Sequence, residues 1–102
     1  MDLPIEFHPA AAAEAAAARA WYAERSSSAA AAFLAEIDLA CERIGEAPHR
    51  YPIHVSGTRR YLMRRFPFHV VYRVPADPGE SIVVVAVAHG YRRPGYWNDR
   101  ST

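Results

Sequence analysis

Lysine is absent from this chain, cysteine occurs once, and glycine only five times in 102 residues. A single cysteine, Cys41, excludes an internal disulfide and fits a reducing compartment. No apolar run approaches the roughly 20 residues that a membrane span needs, and no N-terminal segment joins a basic start to an apolar stretch. The expectation is a soluble cytoplasmic protein of one small domain, residues 1–102, with no membrane partner. There is no phosphate-cradling glycine loop, no Ser/His/Asp arrangement and no pair of carboxylates placed for acid–base work. The five histidines, His8, His49, His54, His69 and His89, lack the close spacing of metal ligands, so no metal and no cofactor is expected.

What is present is arginine, unevenly placed. Residues 1–48 carry three arginines against eight acids, and residues 49–102 carry nine against three. The second half is therefore the part suited to meeting an anion. Arginine also suits bidentate contacts with phosphate or carboxylate, although absence of lysine beside abundant alanine equally fits a codon bias.

The chain is organised around Ile82 to His89, seven apolar residues closed by a histidine and bounded by Pro78-Gly79-Glu80 and Gly90. Such a run reads as a central strand covered on both faces. Leu3 to His8 reads as a short first strand with Leu3, Ile5 and Phe7 on one side. Pro9 to about Arg25 has high helix propensity, with Ala10, Ala13, Ala17, Ala20, Trp21 and Glu24 along one stripe that a second helix could approach. Ser26-Ser27-Ser28 supplies a break and an N-cap. A second helix follows, its buried face formed by Ala30, Phe33, Leu34, Ile37, Ala40, Cys41 and Ile44, and Gly45 is its expected stop. Glu36, Asp38, Glu42 and Glu46 read as the solvated rim of this helix hairpin, and Cys41 as core. Glu46 to Gly57 reads as loop. Arg59–Phe66, Phe68–Val74 and Ser81–His89 read as three strands of a meander. The fold class is α+β in the order β-α-α-β-β-β, a helix hairpin on one face of a four-stranded, mainly antiparallel sheet.

Centring the two turns near Pro67 and Pro78 places His69 opposite both Arg64 and Ala86. One sheet face then carries Tyr61, Met63, Val70, Tyr72, Val74, Val83, Val85 and Val87 against the helices. The other carries Arg60, Leu62, Arg64, His69, Val71, Arg73, Ile82, Val84 and Ala86. This second face suits a phosphate backbone or an acidic partner segment, or it merely guards an edge strand. His89 reads as a general base or as a loop-fixing residue. Arg92, Arg93, Tyr96 and Trp97 read as a binding cluster or as an aromatic plug on the end of the sheet.

Three stretches carry a resemblance: Phe7-His8-Pro9-Ala10 before the alanine-rich helix with Trp21-Tyr22; Arg65-Phe66-Pro67-Phe68-His69-Val70-Val71-Tyr72-Arg73-Val74; and Val85-Ala86-Val87-Ala88-His89-Gly90-Tyr91-Arg92-Arg93-Pro94-Gly95-Tyr96-Trp97. Together they resemble the RelE/ParE toxins of bacterial type II toxin–antitoxin modules. The resemblance implies a cognate antitoxin whose C-terminal segment wraps the toxin, with Ala13, Ala17 and Trp21 in the groove that receives it. It also implies one of two activities. RelE-like members cut messenger RNA on the ribosome without metal, and here Arg60, Arg64, His69, Arg92 and Tyr96 would form that catalytic set. ParE-like members act by binding DNA gyrase, and here Arg60, Arg64, Arg73, His89, Arg92, Arg93 and Trp97 would meet the target. Leu62 falls where the nuclease pattern has a second lysine, and His69 where it has an arginine. A histidine is mostly neutral near pH 7. These departures and the His-Gly-Tyr-Arg ending favour the ParE-like branch, with the nuclease as the alternative.

Overall fold

The computed structural model describes residues 3–77 and 79–100. Its elements are β1 (Ile5–Phe7), α1 (Pro9–Ala23), α2 (Ser27–Glu46), a short 3-10 turn (Val55–Gly57), β2 (Arg59–Leu62), β3 (Phe68–Arg73) and β4 (Ile82–His89). The sheet runs in the order β1-β4-β3-β2, with β1 parallel to β4 and the other pairs antiparallel. This is the α+β arrangement that the sequence predicts.

Each helix begins where the sequence supplies a cap. Proline opens α1, and His8 Nδ1 accepts the Ala10 N–H at 3.0 Å; Ser26 Oγ accepts the Ala29 N–H at 3.2 Å and opens α2. The core lies between the helices and one sheet face. Ala11, Ala18, Phe33, Ile37, Ala40 and Ile44 meet Tyr61, Met63, Val70, Tyr72, Ile82, Val84 and Val87 there. The Tyr72 hydroxyl donates to the Pro48 carbonyl at 2.6 Å, and burial pushes its pKa up to about 12.

Four expectations are corrected. The buried stripe of α1 is Ala11, Ala15, Ala18 and Tyr22, while Ala13, Ala17, Ala20, Trp21 and Glu24 are exposed; in an alanine helix nearly every face is equally apolar, so composition does not mark the inner one. On α2, Leu34 is 45% exposed, one position off the buried face. Gly45 lies inside α2 rather than stopping it. A β-carbon there would come within 3.3 Å of the Leu3 carbonyl, which identifies the glycine as a point of close approach to the lead-in of β1. Glu36, placed on the solvated rim, is instead 7% exposed. Its carboxylate accepts the backbone N–H of Arg64, and that of Arg65 at 3.1 Å. This clamp bends the chain early, so β2 ends at Leu62 instead of continuing to Phe66.

The register differs in the same region. His69 pairs with Leu62 and Ala88 rather than with Arg64 and Ala86. A shift of two residues preserves the faces, so Arg60, Leu62, His69, Val71 and Arg73 share one side of the sheet as expected. In β4 the faces do change. Val71 pairs with Ala86 but Tyr72 with Val84, leaving Val85 unopposed in a bulge. Ile82 and Val84 consequently join the helix-side core, whereas Val83 and Val85 lie on the other face. An all-apolar strand has no polar residue to reveal such a change of side.

Candidate target-binding face and groove

The sheet face turned away from the helices combines cationic side chains with an apolar floor. Val71, Val85, Ala86 and Ala88 form that floor, and Trp97 is buried on them at 2% exposure. The plug expected from sequence thus lies across the sheet face. His54 stacks at a tilt on the Trp97 indole, ring centres 5.4 Å apart. Arg60 and His69 lie beside this patch. Burial, and then the Arg60 charge, lowers the pKa of both His54 and His69; for His69, His54 and His89 add to the effect. Both imidazoles are therefore neutral near pH 7, and the positive charge of the face resides in arginine. Arg73 is tied to its surroundings, its Nη1 donating to the Ser56 carbonyl at 2.8 Å.

The remaining predicted residues are not at this spot. Arg64 is exposed in the turn after β2, outside the strand that was expected to carry it. His89 lies on the helix side, edge-on to Phe68 at 5.2 Å. Its Nδ1 accepts the Tyr91 N–H at 3.1 Å, so it fixes the start of the C-terminal segment. Arg92 stacks over the Tyr96 ring at 3.9 Å, and Arg93 is exposed.

Tyr96 is committed elsewhere. Its hydroxyl donates to Glu14 Oε2 on α1 at 2.8 Å. Burial, together with this bond and the Glu14 charge, pushes the phenol up to about 12. Arg60 and His69 share the sheet face, Arg92 stacks on Tyr96, and the Tyr96 ring packs against the Val71, Val85 and Ala86 patch while its hydroxyl is held by Glu14; Arg64 lies outside β2.

Glu14 and Arg100 were missed in the sequence, and they organise this end of the molecule. Pairing of β1 with β4 stops at Phe7 and Val84. Beyond it, the Val87 N–H donates to Glu14 Oε1 at 3.0 Å, and Arg100 Nη1 donates to the Val85 carbonyl at 3.0 Å. Two side chains take the place of a strand along this edge. Arg100 also holds Glu14 through both terminal nitrogens, at 2.9 and 3.1 Å. Burial raises the Glu14 pKa, but the bonds from Arg100, Tyr96 and the Val87 N–H outweigh it and leave the carboxyl below its ordinary value. The available signal was a lone acid in an alanine run, one position before the inner stripe residue Ala15.

Beside this edge lies an open groove of about 500 Å³, lined by Glu14, Ala17, Trp21, Phe68, His89 and Arg92 among others. Two of the three residues expected in a partner groove, Ala17 and Trp21, line it; Ala13 does not. Trp21 is half exposed, with the Arg25 guanidinium 3.5 Å above its ring. Among the described residues, no helix is long and apolar enough to cross a membrane.

No curated protein matches this sequence. The fold matches a solved chain titled "Chromosomal ParDE TA system from P. aeruginosa" with a TM-score of 0.71 at 20% identity, covering 85% of this chain and 95% of that one. Residues 5–94 match the family model described as the ParE toxin of the type II toxin–antitoxin system parDE. With the whole β-α-α-β-β-β unit inside that match, the chain belongs to the ParE toxin family.

Proposed function

We propose that this protein is a growth-inhibiting toxin of the bacterial cytoplasm that acts by binding, with DNA gyrase as its target, and that a cognate antitoxin neutralises it. The observation that carries the reading is the commitment of the Tyr96 hydroxyl to Glu14. A phosphodiester cleaved through its 2′-hydroxyl needs a proton acceptor and charge stabilisers converging on one phosphate. Here the Tyr96 hydroxyl is already bonded to a carboxylate, and Arg64 lies outside the strand. Exposed arginines at Arg64, Arg92 and Arg93 instead suit a broad contact with an acidic macromolecular surface. The antitoxin is an acidic segment laid in the groove of Ala17 and Trp21, where Arg92 supplies the complementary charge.

The test incubates the purified protein with gyrase and supercoiled DNA and, separately, with translating ribosomes. Gyrase-linked DNA breaks that disappear in the triple variant R64A/R92A/R93A are the expected result. Codon-specific transcript cuts, with gyrase unaffected, would replace this reading with that of a ribosome-dependent messenger-RNA nuclease using Arg60, Arg64, His69, Arg92 and Tyr96.

A further inference from the structure

The segment after β4 is a chain of local turns. Its backbone bonds span three residues at a time: Arg92 N–H to the His89 carbonyl, Tyr96 to Arg93, Asn98 to Gly95 and Arg100 to Trp97. Gly90, whose N–H is anchored to the Pro67 carbonyl at 2.7 Å, marks where the segment leaves the sheet. At its start the segment is hinged on His89, whose Nδ1 takes the Tyr91 N–H and whose carbonyl takes that of Arg92; beyond Arg92, the described hydrogen bonds to the rest of the protein come from two side chains, Tyr96 and Arg100, and all but one of them end on Glu14. The apolar attachment is the seating of Trp97, with Tyr96 beside it, on Val71, Val85, Ala86 and Ala88, and the stacking of His54 on the indole.

That seating is incomplete. Trp97 Nε1 is buried, and among the described residues it has no acceptor. An indole N–H withdrawn from water without a partner opposes burial, and lifting the ring into solvent relieves it. The segment is thus drawn down by one carboxylate and by apolar contact, and pushed up by one orphaned donor.

We propose that Tyr91–Arg100 is a strap with two states, shut by Glu14, and that its release uncovers the apolar sheet face of Val71, Val85, Ala86 and Ala88, beside Arg60 and His69. Because Arg93–Arg100 is tied internally by its own short turns and hinged at His89, it lifts as a unit while β3 and β4 stay paired. What the uncovered face then binds rests on the function proposed above; the motion itself does not.

Two measurements decide it. In a Trp21→Phe background Trp97 is the sole indole, and acrylamide quenching reports its exposure. Release by Glu14→Gln and, independently, by Arg100→Ala should raise the quenching constant about threefold or more, with the Val70 and Val71 amides still protected from exchange. In the unaltered protein, the Trp97 indole N–H should exchange about tenfold or more faster than those amides. An indole that stays shielded in both variants, or that exchanges only at the rate of global unfolding, overturns the strap. Gyrase then separates motion from meaning. Tighter binding by both released variants supports the face beneath the strap as the contact surface, and unchanged binding overturns that role. If gyrase binds neither the unaltered protein nor the variants, the proposed target fails, and the quenching and exchange results still decide the strap.

Discussion

Glu36, near the middle of α2, holds Arg65 in the turn between β2 and β3 twice over, through the backbone N–H at 3.1 Å and through the side-chain Nε at 3.5 Å. Its carboxylate also takes the Arg64 N–H, so one buried acid sets where β2 ends. Arg65 is largely exposed, and the ion pair itself contributes little. The backbone bonds carry the effect. Glu36→Ala should lower the urea-derived stability by about 2 kcal/mol, since hydrogen bonds to a charged group are worth about 1.5–3 kcal/mol. Arg65→Ala should cost a few tenths at most, by the usual worth of an exposed pair.

Acid should act through Glu14. A carboxyl lowered in the folded state adds stability that is complete above its unfolded value, near 4.5, and that is lost as pH falls through the lower folded value. Urea midpoints measured between pH 6 and about 2.5 should therefore fall, and Glu14→Gln should flatten that dependence.

The histidines of the open face work in the same direction at higher pH. His54 and His69 are lowered from 6.5 by burial and by Arg60. The unfolded chain takes up these protons first, so stability declines as pH drops below about 6.5 toward the folded values. Arg60→Gln should move both imidazole titrations upward in NMR. Unchanged midpoints would show that burial alone sets them.

Cys41 should be slow to react. Burial, with a contribution from Asp38, pushes its thiol up to about 11, leaving little thiolate at neutral pH. Alkylation by iodoacetamide at pH 7 should be slow when folded and quicken about tenfold or more in urea.

A seated aromatic should cost more than any charge. Trp97→Ala removes a ring that is 2% exposed. The expected loss is about 3 kcal/mol, at the low end for a buried tryptophan because an unpartnered N–H goes with it.

The sequence made element order, caps and strand locations legible because proline, serine and β-branched runs act locally. The faces of β2 and β3 were legible as well, since Arg60, His69 and Arg73 alternate with Tyr61, Val70 and Tyr72. In β4 nothing alternates, and the bulge at Val85 could not be seen. Glu36 and Glu14 were illegible for a different reason. Each binds backbone far away in the chain, at Arg64 and Val87, and a carboxylate on a helix looks the same whether it meets water or a distant N–H. Where Arg92 and Tyr96 come to lie was illegible for the same reason, because the path of the chain after His89 depends on Glu14.

The parallel pairing of Ile5 with Ile82 also fixes an order of events at the ribosome. The opening strand has no neighbour until β4 has been synthesised, and the helix hairpin made early has only half of its apolar surroundings. Contacts so remote along the chain close late. A nascent copy therefore lacks its completed sheet until β4 has emerged, and whatever the folded sheet face does begins only after that point.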